Sequence, residues 1–205
     1  MSSQRKGNAA LLPEKKRYFD PRTGFMMVKV LPGEHYVTAD PVEAIVTVLG
    51  SCVAACIRDP ETGIGGMNHF MLPGDINTSS AGSAMRYGHF AMEVLINEIL
   101  KTGCPRNRLE IKVFGGASVM GAANQVGHKN AEFVLDYLKN EGLSIAAQDL
   151  VGTHARRIQY SPISGKVERL ILRRKQDDVV FKDETKFAGK IKDTASKAGT
   201  VELFD

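Results

Sequence analysis

Three short apolar runs between residues 44 and 72 constrain this chain more than any other feature. "AIVTVL" is stopped by Gly50-Ser51, and "CVAACIR" and "IGGMNHFML" then flank Asp59-Pro60-Glu61-Thr62-Gly63. Each run has the length and β-branched content of a buried strand and is too short for a helix of ordinary length. The Asp-Pro-Glu-Thr-Gly segment is a strong turn signal, so the last two runs form a hairpin. A chain with this centre must build its core around a β-sheet.

The rest of the chain supplies further strands and only two good helices. "FMMVKVLPGEHYVT" reads as one or two strands around Pro32-Gly33, and "LEIKVFGGAS" as a strand with Leu109, Ile111 and Val113 on one face. "LSIAAQDL", "RRIQYSP" and "VERLILRR" are strands, the latter two joined at Ile163-Ser164-Gly165. One helix is expected over about 85–102, with Phe90, Ala91, Val94, Leu95 and Ile99 as its apolar stripe. A second opens at Asn130 or its neighbours, carries Phe133, Val134, Tyr137 and Leu138, and stops at Gly142. Many strands with two main helices make an α+β chain.

At 205 residues, 43% of them hydrophobic, the length suits one domain able to bury a sizeable core. We expect a flexible basic arm over residues 1–24, a body over 25–175 and a polar tail over 176–205. Residues 74–83 read as a small-residue loop. The tail has too little apolar content to pack, except for a terminal cluster, Val201, Leu203 and Phe204, which resembles a short docking peptide. The arm holds six basic against two acidic residues and so accounts for the whole net charge of +4. The body is nearly neutral and shows no basic face for nucleic acid. No apolar run approaches the roughly 18 residues of a membrane span, and no apolar leader is visible at the N-terminus. Three cysteines are too few for a disulfide scaffold, so free thiols and a cytoplasmic location are expected.

A core hairpin needs neither Cys52 nor His69, yet the pairing brings them together. If Asp59 opposes Thr62, Cys52 lies opposite His69. If Asp59 opposes Ile64, the partner of His69 is Ala54, on the same face as Cys52. Opposed β-carbons are roughly 4.5–5.5 Å apart, so a thiol sits near an imidazole in either register. A cysteine nucleophile needs that neighbour as base and then as acid. The Gly50-Ser51 turn exposes backbone N–H groups that could hold an oxyanion, and Thr47 could bond the second ring nitrogen. Residues 52–58 could instead form a short helix capped by Ser51, with the same effect on the thiol. Either arrangement is expected to hold the thiol pKa below the roughly 8.5 of a free cysteine. The bland alternatives are a cysteine that fills core space and a satisfied core histidine. Cys56 lies about 13 Å from Cys52 along a strand, too far for a disulfide, and belongs to the core. Cys52, Cys56 and His69 offer three ligands with no second cluster, so no metal is expected. Gly115-Gly116 could cradle an anion, although no phosphate-loop signature follows.

"IVTVLGSCVAACIRDPETGIGGMNHFMLP", "MRYGHFAMEVLINEIL", "VFGGASVM", "QVGHKNAEFVLDYL" and "QDLVGTHARRIQY" resemble the CheD family of chemoreceptor glutamine deamidases, across about residues 25–172. The resemblance implies a three-layer α/β/β arrangement like that of cysteine deamidase toxins, and no cofactor. It implies that Cys52 is the nucleophile, His69 its base and acid, and Thr47 the orienting hydroxyl. Gly50, Ser51, Gly115, Gly116 and Arg156 are the further candidates for oxyanion or substrate contact. The implied substrates are glutamines on the helical cytoplasmic region of chemoreceptors. The rival reading is a non-catalytic module that docks on receptors or on a CheC-type phosphatase. Acyl transfer to amines differs only in what attacks the thioester.

Overall fold

The computed structural model describes residues 16–72, 81–118, 125–172 and 174–197. It contains ten strands: β1 (Arg17–Asp20), β2 (Phe25–Lys29), β3 (His35–Thr38), β4 (Glu43–Leu49), β5 (Val53–Arg58), β6 (Gly65–Asn68), β7 (Glu110–Gly115), β8 (Ile145–Leu150), β9 (Arg156–Tyr160) and β10 (Val167–Ile171). Helices α1 (Ala81–Leu100), α2 (Val126–Asn140) and α3 (Arg174–Lys197) and a short 3-10 turn at Arg106–Arg108 complete the described elements. The first sheet runs β1-β2-β4-β9-β10 and the second β3-β6-β5-β7-β8. Both are mixed, with β2–β4 parallel in the first and β7–β8 parallel in the second.

The hairpin adopts the second of the two registers: Cys56 pairs with Met67, Arg58 with Gly65, and Asp59 N–H donates to Ile64 O. Strand β5 explains why the sequence there reads as continuously apolar. Val53, Ala55 and Ile57 face one core and Cys52, Ala54 and Cys56 face another. Side chains alternate across a strand, so a central strand covered on both sides has no polar face. The first core lies between the second sheet and helices α1 and α2, with Ile111, Val113, Phe133 and Val134 in it. The second lies between the two sheets, where Ile45, Leu49, Ile158 and Tyr160 from the first meet β5 and Phe114. The order of layers is therefore α/β/β. Each fully buried aliphatic side chain in these cores contributes about 1.5–3 kcal/mol.

Four expectations change. Phe90 is 64% exposed; the buried stripe of α1 is Ala84, Met92, Leu95, Ile96 and Ile99. Helix α2 begins at Val126, one turn before Asn130. Arg17–Asp20, expected within the arm, pairs with β2 as an edge strand, and Arg17 binds the buried Glu43 carboxylate. Arg174–Lys197, expected as polar tail, is a helix seated on the body through Asp177, Val180 and Glu184. Residues 73–80, most of the expected loop, and the Val201, Leu203, Phe204 cluster lie outside the described residues.

Candidate active site

The site is built where β4 runs out, and its first member follows from the period of that strand. Ile45, Thr47 and Leu49 point into the core between the sheets. Thr47 thus places a hydroxyl among apolar groups, and such a group must find partners. It donates to Val30 O at 2.7 Å and lies 2.8 Å from Nδ1 of His69. The hydroxyl has one proton and Val30 O takes it. Nδ1 of His69 must then carry the hydrogen and donate it to Thr47, which leaves Nε2 as the basic nitrogen. Nε2 is buried and has no hydrogen-bond partner among the described residues. His69 itself follows β6 and is pinned by its backbone, N–H to Glu34 O and O from Gly33 N–H.

Cys52 lies on the loop between β4 and β5. The three carbonyls of Gly50, Ser51 and Cys52 are tied down by Ala117 N–H at 2.8 Å, Asn130 Nδ2 at 2.8 Å and Gly116 N–H at 2.8 Å. Their three N–H groups converge on one anion, the carboxylate of Glu184 from α3. Gly50 and Cys52 donate to Oε1 at 2.8 and 3.1 Å, and Ser51 donates to Oε2 through N–H at 2.8 Å and Oγ at 2.6 Å. Consecutive amides aimed at one point form an anion nest, the arrangement that stabilises an oxyanion. Gly115 permits it: its φ is +114° and a Cβ there would sit 2.1 Å from Cys52 O. Cys52 Sγ, a ring nitrogen of His69 and a Glu184 carboxylate oxygen lie within 4.8 Å of one another. A cleft of about 690 Å³ beside them is walled by Lys29, Leu31, Thr47 and His69 from the body and by Val180 and Phe187 from α3.

Cys52 and His69 are both buried in this arrangement. Burial pushes the Cys52 thiol well up, and the Glu184 carboxylate adds to it. This reverses the depressed pKa expected from the sequence, because the resting thiol faces an anion and no solvent. Burial lowers His69 to about 4, a shift the Glu184 charge opposes.

Cys52, His69 and Glu184 are also the one trio among the described residues whose ligand atoms could converge on a metal. The donor set does not suit an ion as it stands. Four hydrogen bonds already occupy the carboxylate, which fills its acceptor sites. Cys56, considered with Cys52 as a ligand, stays in the core between the sheets.

The remaining candidates divide. Gly50 and Ser51 contribute nest amides. Gly115 and Gly116 support the loop from behind: the N–H of Gly116 is spent on Cys52 O, and Gly115 pairs with Val53. Arg156 does not reach Cys52. It binds Asp149 through Nη1 at 2.9 Å and the carbonyls of Asp149 and Val151, holding the end of β8. The sequence reading missed Asn130 and Glu184 as members of the site. Asn130 is fully buried, donates to Ser51 O and accepts from Leu72 N–H at 2.9 Å. For Glu184, the readable signal was the helical spacing of Val180, Glu184 and Phe187, an acid inside an apolar stripe.

A thiol, a tautomer-fixed imidazole and an amide nest on a two-sheet α+β body meet the geometric needs of a cysteine-dependent amide hydrolase. The family described as "CheD chemotactic sensory transduction" matches residues 71–169. "Probable chemoreceptor glutamine deamidase CheD" of Rhodopseudomonas palustris is 53% identical over 191 residues, covering 92% of this chain and 89% of the relative. "Probable chemoreceptor glutamine deamidase CheD 1" of Dechloromonas aromatica is 50% identical over 190 residues, covering 92% and 94%. The chain belongs to the CheD family. Among solved structures, Bacillus licheniformis hypothetical protein YfiH is similar with a TM-score of 0.40 and 12% identity, over 57% of this chain and 50% of that one. No described helix is long and apolar enough to cross a membrane.

Proposed function

We propose that this chain hydrolyses glutamine side chains of chemoreceptors to glutamate, with Cys52 as nucleophile, His69 as base and acid, and Thr47 as the group that orients the ring. The observation that carries the reading is the hydrogen-bond order Val30 O, Thr47 Oγ, His69 Nδ1–H, which leaves the bare Nε2 for the neighbouring thiol.

Nε2 accepts the proton of Cys52 as sulfur attacks the carboxamide carbon. The oxygen of that carbon takes the electron pair and is held by the N–H groups of Gly50, Ser51 and Cys52. Imidazolium then gives its proton to the amide nitrogen; the C–N bond breaks, ammonia leaves and a thioester remains. Neutral His69 deprotonates a water that attacks the thioester, and the returning proton restores the thiol. Glutamate is the product, and no step asks for a cofactor.

The partners this reading requires are the helical cytoplasmic segments of receptors, which places the reaction in the cytoplasm. Docking on a CheC-type phosphatase is a separate proposal, tested by calorimetry of the two purified proteins. The decisive experiment is intact-mass and peptide mapping of a receptor cytoplasmic fragment after incubation with the protein. We expect glutamine-to-glutamate conversion that Cys52→Ala abolishes and Cys56→Ala preserves. Conversion by the Cys52→Ala protein would refute the mechanism.

A further inference from the structure

Glu184 is 5% exposed. Its negative charge is held by amide groups and one hydroxyl, all of them from Gly50, Ser51 and Cys52. Converging amides would hold any buried carboxylate, but these belong to the loop that carries Cys52, whose Sγ lies within 4.8 Å of the Glu184 carboxylate. The groups there match a different description. Glutamate is the product of the proposed reaction, and this glutamate is presented by a helix with its carboxylate where the reacting carbon's oxygen would lie. With α3 in place Cys52 is fully buried and His69 is 2% exposed, so a substrate side chain reaches neither until the helix moves.

The contacts on either side of Glu184 define how a helix sits there. Val180, one turn earlier, packs with Ala155, Leu172 and Val48. Phe187, three residues later, approaches Gly33 so closely that a Cβ there would lie 2.9 Å from its ring, with Tyr87 alongside. Positions i−4, i and i+3 share one helical face. Asp177 anchors the first turn by accepting from Ala155 N–H at 2.9 Å. Around these anchors α3 is exposed at Asp178, Val179, Lys182, Asp183, Thr185 and Lys186, so its hold on the body is narrow.

We propose that α3 is a built-in product mimic, an intramolecular lid that seats Glu184 in the carboxamide site. It competes with substrate helices that carry glutamine flanked by apolar residues four before and three after. This rests on the deamidase reading above, and deepens it by naming the surface, the helix pattern and the competitor. Displacing α3 also withdraws the anion that opposes ionisation of the thiol, so opening the cleft and activating Cys52 are one event.

Full-length Glu184→Ala and Glu184→Gln proteins test it, read by iodoacetamide labelling of Cys52 and by deamidation of a receptor fragment. A lid closed about nine-tenths of the time lowers apparent affinity roughly tenfold, so Glu184→Ala should label and convert receptor faster by on the order of tenfold. A purely structural glutamate predicts the opposite, slower turnover from a loosened catalytic loop. Glu184→Gln places a carboxamide on the nest, and we expect that side chain to be converted back to glutamate at a rate independent of protein concentration. The conversion should vanish in Glu184→Gln/Cys52→Ala. Labelling of Glu184→Ala no faster than wild type, or slower receptor turnover, overturns the lid. So does a Glu184→Gln protein that converts receptor glutamines while its own introduced carboxamide stays intact. Faster labelling with no glutamine converted in any variant would overturn the deamidase reading and, with it, the identity of Glu184 as product mimic.

Discussion

At the scale of single residues, the proposed reading gives Thr47 the orientation of the His69 ring and no part in the bond changes, so a substitution there tests orientation apart from chemistry. Thr47→Val removes the hydroxyl that bonds both Val30 O and His69 Nδ1, and the loss of such buried hydrogen bonds costs stability. We expect stability to fall by about 1–3 kcal/mol and receptor deamidation to fall by tenfold or more, on the order of one lost catalytic hydrogen bond. Thr47→Ser keeps the hydroxyl and should retain most of both. Urea melts paired with initial rates check this, and a Thr47→Val protein as active as wild type would remove Thr47 from the site. His69 gives a pH prediction of definite sign. The folded ring titrates at about 4, whereas an unfolded one titrates near 6.5. The native state holds the neutral ring, so unfolding takes up a proton at acid pH. Stability from this group is complete above about pH 6.5 and is lost as the pH falls toward about 4, by up to about 3 kcal/mol. His69→Gln should flatten that part of the stability profile measured by urea melts across the window.

At the scale of elements, two positions carry predictions. Val151 follows β8 with φ of +60°, a left-handed conformation costing a side-chain-bearing residue about 1–2 kcal/mol, and more awkward still for a β-branched one. It is held there because Val151 N–H donates to Gly115 O and Val151 O accepts from Arg156. Val151→Gly removes the steric cost and adds freedom to the unfolded chain, which offsets about 0.5–1 kcal/mol. The net expectation is a gain of about 0.5–1 kcal/mol, read as a higher midpoint in thermal melts. Gly88 is the opposite case. A Cβ there would lie 2.5 Å from the Phe133 ring and 2.7 Å from Leu72, and that ring is already fixed edge-on against Phe70 and His89. Gly88→Val should destabilise by about 1–3 kcal/mol through overpacking, a loss larger than any gain in helix propensity. A melting temperature equal to wild type would mean that α1 and α2 separate without cost.

For the whole molecule, local pattern determined most of the body. β-branched runs broken by Gly50-Ser51 and Asp59–Gly63, and the apolar stripe of α2, named their elements because strand alternation and helical period are properties of neighbours in sequence. The same logic put Cys52 close to His69 in either hairpin register, and a short inward strand brought in Thr47. Tertiary structure decided what depends on distant segments. It chose the register that sets His69 opposite Ala54, assigned β2 and β3 to different sheets, and turned Phe90 out to solvent. It made Gly115 and Gly116 the backing of the loop that carries Cys52 and turned Arg156 onto the end of β8. The largest difference is α3. Its composition is too polar to announce packing on the body: the face that seats it carries one buried valine and two buried acids, and helical spacing alone does not say what an acid in such a stripe meets. Glu184 gains its meaning only from three amides more than 130 residues earlier. A carboxylate is stable without water only where such donors converge, and no window of sequence contains both partners.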